Sequence, residues 1–179
     1  MRIIAFEGHD NSGKSTLAEM LSKSTGYELI KFPNEKLFSG QRIRAILNKN
    51  EPFEPASFQA LQDSNKKETL RRLDPTKTYI FDRFKLSEIV YGLADGLPEE
   101  WVRENADLMP DPDVTVILVG VSYGNDGDIY SSDKHQEKIK ELYKQEGKKA
   151  SGNVIYVLNE VPIKVVFEKV YNGVKGVLL

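Results

Sequence analysis

A stretch near the start of the chain has the residue types and spacing of a phosphate-binding loop. Residues 8–16 read Gly-His-Asp-Asn-Ser-Gly-Lys-Ser-Thr and fit the pattern G-x-x-x-x-G-K-[ST] in full. In such a loop the glycines let the backbone bend closely around phosphate oxygens, and successive N–H groups and a helix N-terminus hold the negative charge. We expect Lys14 to reach the outer phosphates of a nucleotide and Ser15 to bind magnesium. The residues predicted to bind the nucleotide phosphates are Gly8, Asn11, Ser12, Gly13, Lys14, Ser15 and Thr16.

A carboxylate and a guanidinium stand next to each other at Asp82 and Arg83, directly after the short apolar run 78–81. If that run is a buried strand, both side chains lie at its carboxyl end, where the ligand cleft of a parallel sheet opens. Asp82 could then orient magnesium water or the attacking phosphate, and Arg83 could bind phosphate oxygens in bidentate fashion. The alternative is a salt bridge at a strand end with a helix cap. The phosphate loop predicted on a neighbouring strand favours the chemical interpretation.

A phosphate loop must join a strand to a helix, and the sequence predicts both. A branched apolar run over 2–7 predicts a strand, and apolar residues at helical spacing over 16–21 predict a helix. Further strands are predicted over 27–32, 78–81, 114–119 and 153–158, and further helices over 37–48, 56–73, 86–94, 99–108, 134–146 and 162–172. Five strands alternating with helices indicate an α/β protein, a three-layer α/β/α P-loop NTPase fold with a five-stranded parallel sheet.

Composition sets limits on the class of protein. A chain of 179 residues with 40% hydrophobic and 29% charged residues is typical of one globular domain. We expect no membrane segment, because no apolar run approaches the roughly 20 residues that span a bilayer. We also expect no nucleic-acid partner, since the formal net charge is −2. The sequence has no cysteine and the first residues lack a secretory pattern, which fits a reducing cytoplasm.

Ordered motifs over nearly the whole length resemble the thymidylate kinase family of nucleoside monophosphate kinases. The phosphate loop alone is specific only for the P-loop superfamily. An Asp-Arg-aromatic motif and a Pro-Asp-x-x strand in the right order narrow the resemblance to this family. The residues that carry it are 6–16, Phe32-Pro33, Asn65-Lys66, Asp82-Arg83-Phe84 with Ser87 and Tyr91, 110–114, and Asp128-Ile129-Tyr130 before Gln136-Glu137-Lys138.

The resemblance implies a cytoplasmic homodimer, one kinase domain over 1–179, that transfers the γ-phosphoryl group of ATP to a deoxynucleoside monophosphate, typically dTMP, with Mg²⁺. It implies that Arg83 clamps the acceptor phosphate. The implied catalytic residues are Lys14, Asp10, Asp82 and Arg83, the metal-binding residues are Ser15 and Asp82, and the substrate-binding residues are Phe32, Gln62, Lys66, Arg83, Tyr91 and Tyr130. Tyr130 would press on the acceptor from a mobile lid at about 122–134. Phe32 and Tyr91 have core packing as an equal alternative.

The chain departs from the family pattern at the residues that would contact the nucleobase and at the position of the catalytic arginine. Gln62 and Lys66 stand where the family has a stacking aromatic and an arginine, which puts the specificity for thymine in question. Asn11 stands where some members carry an arginine, and no arginine occurs between Val121 and Leu179. The nearest cation of the lid is Lys134, with a solvated helix charge as an equal alternative. After Phe32-Pro33, where the family usually has another arginine near the acceptor phosphate, Arg42 is a more distant candidate.

Two other functions stay open from the sequence. A deoxynucleoside kinase could use the same cleft, with Asp82 as the base for a 5′-hydroxyl. A nucleotide-binding regulatory protein could have kept the phosphate loop and lost catalysis, as the departures at the arginine positions permit.

Overall fold

The phosphate loop follows the central strand of a five-stranded parallel sheet. This computed structural model describes residues 1–124, 127–150 and 152–178. The strand order is β2-β3-β1-β4-β5, and every neighbouring pair runs parallel. The strands are β1 (Arg2–Gly8), β2 (Glu28–Lys31), β3 (Thr78–Asp82), β4 (Val114–Val119) and β5 (Asn153–Leu158).

Seven helices lie between and after the strands of the described residues, and both faces of the sheet are covered. Side chains alternate along β1, so Ile4 and Phe6 pack on one face and Ile3 and Ala5 on the other. The first face is covered by α1 and α7, and the second carries the helices that form the cleft. The helices are α1 (Lys14–Thr25), α2 (Phe38–Leu47), α3 (Pro55–Arg71), α4 (Lys85–Ala94), α5 (Glu99–Asp107), α6 (Asp133–Lys149) and α7 (Ile163–Leu178).

The five predicted strands and the three-layer class are confirmed, whereas α1, α6 and α7 extend several residues beyond their predicted C-terminal ends. Helix α1 extends to Thr25 and stops at Gly26, which adopts φ 74° and donates its N–H to Ser22 O. Helix α7 continues past Asn172 because its buried stripe continues through Val174 to Leu178. None of the helices in the described part of the chain is long and apolar enough to cross a membrane.

Residues 125 and 126 of the predicted lid lie outside the described residues, so the mobility of the lid stays a prediction. The part of this segment that is described approaches the rest of the protein. The N–H of Ile129 donates to Leu47 O (3.1 Å), and Lys49 Nζ donates to Gly127 O (3.0 Å). These bonds place the segment against the end of α2.

The buried carboxylate of Glu7 connects the central strand to the start of α4. Its oxygens accept hydrogen bonds from the N–H groups of Phe84 and Leu86 (both 3.0 Å) and of Ser87 (3.1 Å), and from the Ser87 hydroxyl. Burial raises the pKa of Glu7, while the Ser87 hydrogen bonds and the Arg83 cation act in the opposite direction. A side chain from the neighbouring strand thus satisfies the unpaired N–H groups at the N-terminus of α4.

We predict that Glu7→Gln destabilises the protein by about 1–3 kcal/mol, because one carboxylate oxygen that accepts two hydrogen bonds becomes an NH₂ group facing two donors. Urea unfolding followed by circular dichroism measures the change, with Glu104→Gln on the exposed side of α5 as the matched control. Equal unfolding midpoints for the two variants would contradict this role of Glu7.

Candidate active site

The phosphate loop has the backbone conformation that its glycines permit. Gly8 has φ 147°, and a Cβ atom there would lie 2.5 Å from Leu118 O on β4. Gly13 precedes α1 with φ 89°, again a conformation that side chains disfavour. Hydrogen bonds from outside hold the loop. Among them, Asn159 Nδ2 donates to Ser12 O (2.9 Å), and the N–H of Tyr123 donates to Asn11 O (2.9 Å).

Lys14 is buried at the bottom of the loop, with 5% of its surface exposed. Its Nζ donates to the carbonyl oxygen of His9 within the same loop (3.1 Å). Burial and the nearby Arg83 cation lower the pKa of Lys14 to about 8, against the opposing effect of the Asp82 and Asp10 carboxylates. The ammonium is therefore a poorly solvated charge, which a bound phosphate would stabilise.

Ser15 and Asp82 provide oxygen ligands suited to a magnesium ion. The register pairs Asp82 with Phe6, which brings the end of β3 beside the loop, and Ser15 Oγ donates to Asp82 Oδ2 (2.5 Å). The other oxygen, Asp82 Oδ1, is buried without a hydrogen-bond partner among the described residues. Mg²⁺ usually binds one or two protein oxygens, water and substrate phosphates, so this pair fits the ion. The described residues contain no group of three or more His, Cys, Asp or Glu side chains arranged for a metal.

Arg83 lies between the phosphate loop and the cleft. Its backbone has φ 69°, a left-handed conformation, and its N–H donates to Phe6 O (2.9 Å) on β1. The guanidinium forms a salt bridge with Asp10, lies 5.0 Å from the centre of the Tyr91 ring and donates from Nη1 to Gly8 O (3.3 Å). A non-glycine residue in this region of φ costs energy, and such strain is typical of functional sites.

The carboxylate of Asp10 is the salt-bridge partner of Arg83. It also accepts hydrogen bonds from the Tyr91 hydroxyl (2.9 Å) and from Gln136 Nε2 on α6 (3.4 Å). Burial alone would raise the pKa of Asp10, but the cations of Arg83 and Lys14 and these hydrogen bonds lower it to about 2. The structure therefore places Asp10 as the counter-ion of Arg83, which is a more specific arrangement than the sequence predicted.

A cleft of about 600 Å³ opens beside the loop and is lined by the predicted substrate-binding residues of α3 and α4. Lys66 is 3% exposed and forms a buried salt bridge with Glu88, which also accepts a hydrogen bond from Gln59 Nε2 (2.8 Å). Gln62 lines the same wall, one turn of helix before Lys66. Where the family has an aromatic and an arginine, this chain thus has polar groups and a compensated charge.

The aromatic residues that the sequence placed at the cleft are also part of the core. Phe32 is buried, lies 6.1 Å from Phe84 in a stacked arrangement and lines the cleft. Tyr130, from the predicted lid, is 3% exposed and donates its hydroxyl proton to Asp95 Oδ2 (2.8 Å). Its ring meets the Tyr91 ring edge to face at 4.9 Å. For Phe32 and Tyr91, which the sequence analysis assigned either to the core or to the cleft, core packing and cleft lining hold at once.

The sequence analysis missed several residues that contribute to this site. Arg44 lines the cleft, whereas Arg42, the residue it suggested, pairs with Glu51 outside the cleft lining. Lys134 is exposed and does not line the cleft either. The other missed residues are Glu7, Glu88, Tyr143 and Asn159, and of these only Glu7 lies within a motif that the sequence analysis used.

The parallel sheet carries a phosphate loop with a buried lysine after its central strand. A magnesium-type oxygen pair joins this loop to the end of β3, and an arginine faces the adjacent cleft. These features define a P-loop phosphotransferase. A sequence model of the thymidylate kinase family matches residues 6–170. The chain therefore belongs to the thymidylate kinase family. Its members are nucleoside monophosphate kinases, transferases that use ATP as co-substrate.

Individual relatives agree with this assignment. The chain is 29% identical over 153 residues to thymidylate kinase of Schizosaccharomyces pombe, a match that covers 77% of this chain and 73% of the relative. The solved structure of thymidylate kinase from Candida albicans superposes with a TM-score of 0.79 at 23% identity and covers 98% of this chain and 91% of its own. For the thymidylate kinase from Ehrlichia chaffeensis the TM-score is 0.77 at 22% identity, with 97% and 98% covered. At these identities the two structural similarities show the fold.

The pKa of Lys14 near 8 predicts a pH dependence of nucleotide binding. Bound phosphates favour the ammonium, so above pH 8 the free protein must take up a proton on binding, and the affinity for ATP should fall by up to about tenfold per pH unit. Below about pH 7.5 this contribution is constant. Calorimetric titration of ATP between pH 7 and 10 measures it, with Lys14→Met as the control whose profile stays flat. An equal affinity of the unmodified protein at pH 7 and pH 10 would contradict the prediction.

Proposed function

We propose that this protein catalyses the Mg²⁺-dependent transfer of the γ-phosphoryl group of ATP to dTMP, giving dTDP. The observation that carries the proposal is the Arg83 guanidinium, held by Asp10 beside the phosphate loop and facing a cleft that lies next to that loop. A cation in this position suits an acceptor that itself carries a phosphate. An acceptor with a free hydroxyl in its place would bring no negative charge to this guanidinium beyond that of Asp10.

On the donor side the protein positions phosphates and neutralises their charge. The N–H groups of the loop and the N-terminus of α1 bind the phosphate chain, and Lys14 places its ammonium on the outer phosphates. Ser15 and Asp82 would hold Mg²⁺ through their oxygens. When bound, the ion supplies positive charge for the β- and γ-phosphates. Gly8, Asn11, Ser12, Gly13 and Thr16 complete the proposed nucleotide-binding set.

On the acceptor side Arg83 binds the phosphate of the monophosphate and brings it in line with the γ-phosphorus. Phosphoryl transfer needs little covalent help from the protein, so this positioning is the main catalytic contribution. Tyr91 and Phe32 line the space for the sugar and the base, and Tyr130 closes it from the lid. Lys66 and Gln62 present hydrogen-bonding groups to the base in place of a stacking ring.

The test of the proposal is a substrate panel with labelled ATP and Mg²⁺, run with thymidine, dTMP, dUMP, dCMP, dAMP and dGMP. We expect dTDP as the main product and no transfer to thymidine, and we expect Lys14→Ala to lower kcat by about a hundredfold or more while leaving the unfolding midpoint near that of the unmodified protein. Transfer to thymidine alone would identify a deoxynucleoside kinase. ATP binding without turnover on any acceptor would identify a nucleotide-binding protein that lacks catalysis.

Arg44 provides a second cation of the acceptor cleft, and Arg42 on the same helix provides its control. Both arginines are half exposed and both pair with a surface glutamate, but only Arg44 lines the cleft. We predict that Arg44→Ala raises the KM for dTMP about threefold to tenfold, the loss of one partly solvent-exposed charge contact, and leaves the KM for ATP unchanged. Arg42→Ala should leave both constants unchanged. Equal effects of the two substitutions would show that Arg44 does not contact the acceptor.

The homodimer, the single kinase domain over 1–179 and the cytoplasmic location stay predictions that rest on the resemblance to the family. Size-exclusion chromatography with light scattering measures the first directly. A mass near that of two chains, maintained on dilution, is the expected outcome, and a mass of one chain would contradict it.

A further inference from the structure

Tyr143 lies on α6, the helix that follows the predicted lid, and its hydroxyl contacts Arg83, the proposed acceptor-binding arginine. Arg83 Nη1 donates to the Tyr143 oxygen (3.1 Å), and Tyr143 Oη lies 2.8 Å from Ser87 Oγ. The Tyr143 side chain is fully buried and packs with Val90 and Ile139. The ring is thus explained by core packing, whereas the hydroxyl must be explained by its two polar contacts.

The hydrogen bond from Ser87 to Glu7 sets the direction of the next one in this chain of groups. Ser87 has one hydroxyl proton and donates it to the carboxylate of Glu7, so Ser87 Oγ accepts the proton of Tyr143. Burial raises the pKa of Tyr143, so its hydroxyl keeps that proton over the working range of pH. The Tyr143 oxygen is therefore left as an acceptor, and Arg83, which has only donors, is its partner. Hydrogen bonds aligned in this way polarise and strengthen one another.

The contact fixes which N–H groups of Arg83 remain for a ligand. Nη1 uses both of its N–H bonds, on Gly8 O and on Tyr143, and Nη2 uses one on Asp10. The N–H bonds without an acceptor among the described residues are then the one on Nε and the second one on Nη2. Nε and Nη2 together form one edge of the guanidinium, and such an edge can bind a phosphate in bidentate fashion.

The helix that carries Tyr143 contacts both members of the Arg83–Asp10 salt bridge. Gln136 Nε2 donates to Asp10, and Gln136 lies seven residues before Tyr143, two turns away on the same face of α6. The segment of the predicted lid leads directly into this helix. One rigid element therefore contacts the arginine through Tyr143 and its counter-ion through Gln136.

We propose that Tyr143 is a positioning residue for the acceptor phosphate: its hydroxyl, oriented by Ser87 and Glu7, turns the guanidinium of Arg83 so that the Nε–Nη2 edge faces the cleft. This inference rests on the proposed role of Arg83 in binding a monophosphate. Without the hydroxyl, Nη1 keeps the bond to Gly8 O, but its second N–H competes with the cleft-facing edge for the ligand. The guanidinium then loses its fixed plane and part of its preorganisation.

Tyr143→Phe tests the proposal, because it removes one oxygen and keeps the ring. We expect the KM for dTMP, and its Kd by calorimetry, to rise about tenfold, the range of a hydrogen bond to a charged group, while the KM for ATP is unchanged. The matched control is Tyr156→Phe, since the Tyr156 hydroxyl is buried without a described partner outside the proposed site. We expect that variant to match the unmodified protein in both constants and to unfold at an equal or higher denaturant concentration.

A double-mutant cycle separates positioning from a purely structural role. If Tyr143 acts through Arg83, then Tyr143→Phe adds no further loss of dTMP affinity in an Arg83→Lys background. Additive losses, equal increases of both KM values, or an unchanged dTMP affinity in the single variant would each overturn the inference. Failure of the proposed function has a different signature, since the unmodified protein would then neither bind nor phosphorylate dTMP.

Discussion

The salt bridge between Asp10 and Arg83 is the interaction on which the arrangement of the site depends. Asp10 belongs to the phosphate loop and Arg83 to the segment after the neighbouring strand, so the bond joins the donor side to the acceptor side. Both side chains are largely buried. Breaking a buried pair by removing one partner is costly, because the remaining charge stays without compensation. The pair therefore fixes the position of the cleft relative to the loop in addition to supplying charge.

The parallel sheet makes this bond possible through register. Phe6 lies opposite Asp82, so the loop that leaves β1 and the residues that leave β3 emerge side by side at the carboxyl edge. Glu7, the next residue of β1, accepts hydrogen bonds from the N–H groups at the start of α4. This helix carries Ser87, Glu88 and Tyr91 into the cleft. The backbone of two central strands therefore determines where the acceptor residues lie.

The sequence predicted the sheet and the loop well, because their signals are local. Branched apolar runs identify buried parallel strands. The residues of the phosphate loop are contiguous in the sequence, so the spacing within 8–16 predicts the loop directly. The groups that the sequence could not predict depend on which side of a helix faces the cleft in the folded protein. Arg42 and Arg44 flank the buried Ile43, and the sequence does not show which of them turns toward the cleft. Tyr143 lies in a charged helical segment, where its contacts with residues of α4 have no local signal.

On the proposed function, the buried pair of Lys66 and Glu88 contributes more to recognition of the base than to stability. Two apolar side chains of similar volume would give the fold as much free energy or more, because desolvation cancels most of the attraction within such a pair. On the proposed function, the charges instead place donors and acceptors on the wall that faces the base, together with the Gln62 amide. Stacking tolerates many bases, whereas a wrong base that leaves a buried polar group unpaired loses several orders of magnitude in kcat/KM. On the proposed function, the replacement of a family aromatic by Gln62 therefore moves the selection of the base from ring stacking to hydrogen bonding.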